Sequence, residues 1–293
     1  MRNRAGKSGI IVVVLVLLVG LGLAFFANVR RQQAPPAAPA DLPAKAAAPE
    51  TVRLPVSQTS PQEQEEARPV ASGPKVTLTG RVTFAGDLPE VRQLPVTKDA
   101  GTCACGQPFK LDESIVIDPA TRGVANAVVW IKGVQGGPSL PKAVIDQKGC
   151  AFSPHVVLVA AGQDLTVLNC NDKEPISHNF QIWSDHVPAN VKNTTIPKFR
   201  KDITVPGGKG FETPEFIKVT CEVHPWMSAW VAVMENGWAA RTDATGGFSI
   251  PDLPPGEYTL ALWHETLAPG TISERITVDA GAASVGITLS RHP

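Results

Sequence analysis

Breaker residues decide most of what this 293-residue chain can become: 27 prolines and 25 glycines leave little room for long helices beyond the N-terminus. Such a density favours short strands joined by turns. The folded part is therefore expected to be all-β. With 27 basic and 27 acidic residues the formal charge is zero, and without a basic run in the folded region there is no electrostatic footprint for a nucleic-acid partner. The length allows about two domains once non-globular segments are set aside.

Two such segments come first. Gly9 to Ala27 is almost wholly apolar, and ~20 residues at 1.5 Å rise match a bilayer core. Arg2, Arg4 and Lys7 precede it, Arg30 and Arg31 follow, and the slight basic bias places the N-terminus in the cytoplasm. Residues 1–31 are thus expected to be one transmembrane helix that holds the body facing the periplasm or cell exterior. The rival reading is a signal peptide cleaved near Gly22-Leu23-Ala24, which would release the protein into the periplasm. Residues 32–75, rich in Pro, Ala, Gln and Glu, cannot bury enough apolar surface to offset ordering and are expected to be a disordered linker, with a reach of roughly 35–40 Å.

The chemistry concentrates in Cys221-Glu222-Val223-His224-Pro225-Trp226-Met227. A thiolate, an imidazole and a thioether at three-residue intervals, at a strand end, are three of the four ligands of a mononuclear copper site, which needs two imidazoles and a thiolate in a plane and a weak axial thioether. The second imidazole must come from elsewhere. His178 in Pro175-Ile176-Ser177-His178-Asn179-Phe180 is the candidate. No second thiolate lies between Cys221 and His224, which disfavours a binuclear copper centre, and no H-x-H run supplies the imidazole clusters of a multicopper enzyme. The chain is expected not to be an enzyme.

Strand patterning appears on both sides of this region. Val76-Thr-Leu78-Thr-Gly80-Arg-Val82-Thr-Phe84 alternates, Asn126 to Lys132 is a second strand, and TDATGGFSIPDLPPGEYTL from Thr242 to Leu260 gives turn, strand, turn and strand. These motifs resemble the carboxypeptidase regulatory-like, transthyretin-type β-sandwich, in which the second strand and the TDxxGxF turn are close in sequence. Here about 110 residues separate Ile131 from Thr242, so an insertion at a loop of the host is expected. The boundaries read as 76–137 for the first half of the host, 138–236 for the insert and 237–293 for the second half; three domains in series is the alternative.

Within the insert, Phe152-Ser-Pro154, Gly162 to Asn169, His178-Asn179 and Cys221 resemble cupredoxins, and the C-x2-H-x2-M spacing is most similar to amicyanin. The resemblance implies a Greek-key β-sandwich with one type 1 copper held by His178, Cys221, His224 and axial Met227. It further implies that His224 shows its outer edge at the surface as the electron exit, and that Asn179 ties the two ligand loops together. Two departures stand out. Val223 replaces a proline and keeps an N–H that could reach the Cys221 sulfur, raising the potential; Glu222 leaves Asn179 without a hydroxyl partner. Pro225 and Trp226 suit either an apolar docking rim around His224 or the core, whereas Trp230 suits the core better. Cys103, Cys105, Cys150 and Cys170 remain for disulfides. Resemblance to paired positions in relatives favours Cys105 with Cys150, with Cys103–Cys170 as the weaker pair; no C-x2-C spacing points to zinc. His155, His186 and His264 read as structural or exposed.

The leading expectation is a membrane-tethered carrier that passes single electrons between redox protein partners. A periplasmic copper-binding or copper-sensing protein and a metal-free interaction module are the alternatives.

Overall fold

The computed structural model describes residues 68–69, 74–169, 176–198, 202–280 and 283–290. The predicted membrane segment and most of the predicted linker lie outside these residues, as does Cys170. Among the described residues no helix is long and apolar enough to cross a membrane. The end of the linker differs from expectation, because Arg68–Pro69 pairs in parallel with Val134–Gln135.

The described chain is all-β apart from single helical turns. One sandwich has a five-stranded sheet in the order Asn193–Ile196, His178–Trp183, Phe216–Thr220, Ser228–Met234, Val156–Ala160. Its facing sheet is Asp202–Val205, Leu165–Leu168, Val144–Asp146. Between them lie Phe152, Val159, Leu165, Phe180, Ile182, Ile217, Val219 and Val231, all buried. A second sandwich pairs a four-stranded sheet, Ala239–Arg241, Val128–Lys132, Gly256–His264, Ala268–Val278, with Gly247–Leu253, Val76–Ala85 and Ala283–Ser290. Leu78, Val82, Val129, Ile131, Ile250, Leu260 and Leu262 fill it.

The second sandwich is therefore made from strands on both sides of the first. The Thr242 hydroxyl closes the gap in sequence: it donates to the Val124 carbonyl at 2.7 Å and accepts from the Ala127 amide at 2.9 Å. The chain passes out and back where Gly237 crosses Pro138; a Cβ on Gly237 would lie 1.7 Å from the Pro138 carbonyl oxygen, and the Gly237 amide donates to Gly136 at 2.9 Å. Only glycine fits that crossing.

A third core joins the two sandwiches. Val156, Ala232 and Met234 of the five-stranded sheet meet Val128, Trp130, Ala239, Ala261 and Trp263 of the four-stranded one. The strands that meet at this junction are covered on both faces, which is why VVWI, VVLVA and TLALWH read as continuous apolar runs and not as alternations. Phe216 stacks on Trp263 with ring centroids 4.3 Å apart, and Trp230 meets Trp263 at 4.9 Å. Two polar bonds cross this layer: His155 Nε2 bonds Glu265 Oε1, and Trp230 Nε1 donates to Glu265 Oε2 at 2.9 Å.

Candidate metal centre

The segment Cys221 to Met227 is a loop between Phe216–Thr220 and Ser228–Met234, whose register pairs Thr220 with Ser228. It is closed on itself, since the Cys221 amide donates to the Met227 carbonyl at 3.2 Å and the Met227 amide to the His224 carbonyl at 2.9 Å. His178 opens the neighbouring strand, and that adjacency brings the two parts of the motif together across 43 residues.

Three donor atoms converge. His178 Nδ1 and His224 Nδ1 are 3.0 Å apart, and Cys221 Sγ lies 3.7 and 3.8 Å from them. All three side chains are buried. A triangle with those sides has its centre about 2.0 Å from each corner, close to the ~2.0–2.1 Å of a metal–imidazole bond and somewhat short of the ~2.3 Å of a metal–thiolate bond. The donor set and its spacing fit a first-row metal ion. Met227, the fourth expected ligand, is buried at the end of the loop.

Electrostatics prepare the imidazoles more than the thiol. Burial, and then the neighbouring His224, push the His178 pKa down to about 4. Burial also lowers that of His224, against the opposing pull of Asp99. Both rings are neutral at neutral pH, with lone pairs available to a cation. Burial raises the Cys221 thiol, while the backbone amides of Asn179, His224 and Val223 act in the other direction. In the metal-free protein the thiol keeps its proton, and a bound metal must displace it.

Asn179 ties the loops as the resemblance implied, through different partners. Its Oδ1 accepts from the amides of Glu222 at 2.7 Å and Val223 at 3.3 Å. Its Nδ2 donates to Asn193 Oδ1 at 2.8 Å and to Glu222 Oε2 at 3.4 Å, and Asn193 Nδ2 donates to the same carboxylate at 2.9 Å. Glu222 thus stands in for the missing hydroxyl. The Val223 amide donates to Asn179 and also acts to lower the pKa of the Cys221 thiol, where the sequence suggested the sulfur alone.

Three expectations are corrected. His224 does not show its edge at the surface: the side chain is fully buried, and its Nε2 lies 3.0 Å from Asp99 Oδ2. Trp226, a candidate for partner docking, is buried, with Nε1 donating to the Cys150 carbonyl at 2.9 Å and its ring 5.1 Å from that of His224; its neighbour Pro225 stays exposed. The exposed aromatic near the loop is Trp183, which donates to the Thr220 hydroxyl at 2.9 Å. The disulfide is Cys103–Cys150, with Cα atoms 5.2 Å apart, and Cys105 is an exposed unbridged thiol.

The cause of all three corrections is one segment that the sequence assigned to the host. The hairpin of Gln93–Pro95 with Phe109–Leu111 carries a one-turn helix, Ala100–Cys103, at its tip. Leu94, Val96 and Cys103 pack on the core of the first sandwich. The strap they form lies over His224, and the disulfide sulfurs come within 4.8 Å of a His224 ring nitrogen. Asp99 and Asn193 were missed because neither belongs to a local motif. The remaining described histidines do not join the donor cluster. His155 and His264 are buried near Glu265, and His186 pairs with Glu215 at 3.3 Å.

A family model described as polysaccharide lyase family 4, domain II, matches residues 235–285, where the sequence had suggested a carboxypeptidase regulatory-like domain. No curated protein matches the chain. Among solved structures it is similar to a purple cupredoxin from Nitrosopumilus maritimus, at 19% identity over 32% of this chain and 100% of the other, TM-score 0.26. A fern plastocyanin mutant matches at 15% identity over 31% and 100%, TM-score 0.26. A copper-containing nitrite reductase from Thermus scotoductus matches at 17% over 33% of this chain and 23% of that enzyme, TM-score 0.26. The described residues are all-β apart from single helical turns, and cupredoxins stand among the structural neighbours of the chain.

Proposed function

We propose that the protein is a non-enzymatic, one-electron carrier whose site holds a single type 1 copper through His178, Cys221 and His224, with Met227 as axial ligand. The observation that carries this reading is the buried triangle of two imidazole nitrogens and one sulfur, whose spacing suits one metal ion. Copper in such a ligand set exchanges one electron without leaving. The chain's own residues do the rest. Asn179 and the closed loop hold the donors in place between oxidation states, which keeps the rearrangement on electron exchange small. Burial removes water from the donors.

The site would sit in a cupredoxin module, 138–236, nested in a transthyretin-type host; support comes from the sheets shared by Val76–Ala85, Val128–Lys132 and the strands after Ala239. We also propose attachment to a membrane through residues 1–31, with the body on the periplasmic or outer side and other redox proteins as partners.

One observation favours a second reading, copper storage or sensing: the His224 edge is covered, and a covered ligand slows exchange with an outside partner. Adding Cu(II) to the purified protein tests the site itself. An intense visible thiolate-to-copper charge-transfer band is expected, lost in Cys221→Ala; a colourless wild-type protein would sink the proposal. A slow electron self-exchange rate in the coloured protein would move the balance to storage or sensing.

A further inference from the structure

We infer that Asp99, contributed by the strap and not by the ligand loops, is a positioning residue for the metal centre: its carboxylate fixes which nitrogen of His224 faces the metal. This rests on the copper reading above. A neutral imidazole carries one proton, so one nitrogen donates and the other accepts. Asp99 Oδ2 lies 3.0 Å from His224 Nε2. An ionised carboxylate only accepts, so Nε2 carries the proton and Nδ1 presents its lone pair toward His178 Nδ1 and Cys221 Sγ.

The backbone shows that Asp99 is placed for this contact. Asp99 occupies the N-cap of the helical turn Ala100–Cys103, where an aspartate commonly caps the first amides with its side chain. Here the side chain makes no capping bond; the Asp99 carbonyl accepts from the Thr102 and Cys103 amides instead, at 3.0 and 2.8 Å. Asp99 has a left-handed φ of 48°, a conformation that Asp and Asn tolerate better than most residues. The Cys103–Cys150 disulfide then fastens the same turn to the first sandwich. The carboxylate keeps one side in solvent, with the side chain 41% exposed, while the imidazole beneath it is fully covered.

A carboxylate behind a ligating histidine orients the ring and strengthens it as a donor, and losing such a partner costs about 10–100-fold in metal affinity. The negative charge also favours the more highly charged oxidised metal. Two substitutions separate these effects without straining the backbone. Asp99→Asn keeps an acceptor and the left-handed preference but removes the charge; Asp99→Gly removes both at no steric cost.

The test uses the full chain. Cu(II) affinity is measured by competition with a chelator, the reduction potential by redox titration, and the His224 Nε2 proton by NMR of the metal-free protein. Asp99→Gly is expected to weaken Cu(II) binding by about 10–100-fold and to abolish the slowly exchanging Nε2 proton signal. Asp99→Asn should retain that signal, lose less affinity and shift the potential upward. Affinity and potential unchanged in both variants, or an Nε2 signal that survives in Asp99→Gly, would overturn the inference. So would an affinity loss matched by unfolding of the metal-free variants in thermal melts. If the wild-type protein binds no copper, the copper reading fails, and the NMR signal still reports whether Asp99 sets the His224 tautomer.

Discussion

His264 shows how this protein turns burial into sensitivity to acid. Its ring is buried, its Nδ1 accepts from the amides of Thr266 and Leu267, both at 3.2 Å, and burial is the main reason its pKa falls from 6.5 to about 4. The unfolded chain takes up this proton near pH 6.5, the folded one only near pH 4. The histidine therefore lends its full stability above pH 6.5 and loses it as the pH falls toward 4. In the metal-free protein His178 adds to the loss in the same window. Urea midpoints measured at pH 7, 6, 5 and 4 should fall steadily, and His264→Asn should flatten the slope, each unit of pKa separation being worth about 1.4 kcal/mol. A wild-type midpoint that does not change across this range would contradict the argument. At this scale the converging donors were legible in the sequence, because Cys221 and His224 sit at a fixed short interval and His178 precedes Asn179. Asp99 was not, because its place over His224 depends on a disulfide and a hairpin 125 residues away.

Among the elements, the strap from Gln93 to Leu111 carries most of what sequence reading could not supply. The strands of the first sandwich carry apolar residues that mark them in the sequence, as in Phe216–Thr220 and His178–Trp183. The short strands Val144–Asp146 and Asn193–Ile196 carry too few apolar residues to stand out. Cys103 and Cys105 could not be told apart by separation alone; the helical turn buries the first and leaves the second outside. Peptide mapping without reduction should therefore link Cys103 to Cys150, and Cys105→Ser should leave that link unchanged. Cys103→Ser with Cys150→Ser opens a closure of 47 residues and should lower stability by about 2–4 kcal/mol, read from denaturant midpoints. Retention of full stability would mean that hairpin packing alone holds the strap.

For the whole molecule, the layer shared by the two sandwiches decides the behaviour. Ala232, Ala261 and Val128 are fully buried there, and the His155–Glu265–Trp230 bonds cross it. Burial opposes the charge on Glu265, yet the bonds from His155 and Trp230 outweigh it and hold its pKa below 4.5. Neither sandwich can leave without exposing that layer. Heating should give one transition, with tryptophan fluorescence and far-ultraviolet circular dichroism coinciding; two separated transitions would show that the layer does not couple them.

The crossing of Gly237 over Pro138 also sets an order of events during synthesis. Val76–Ala85 takes its strand partners from Gly247–Leu253 and Ala283–Ser290, with one nearer bridge from Thr83 to Gly123, and Val128–Lys132 must wait for Ala239–Arg241 and Gly256–His264. Pairings so distant along the chain form slowly. Until the ribosome has delivered the strands that follow Ala239, the first strands of the outer sandwich lack most of their partners, with their apolar runs and open edges available to any other nascent chain. The ligand-bearing sandwich, complete by Met234, can assemble first and serve as the template on which the outer one closes.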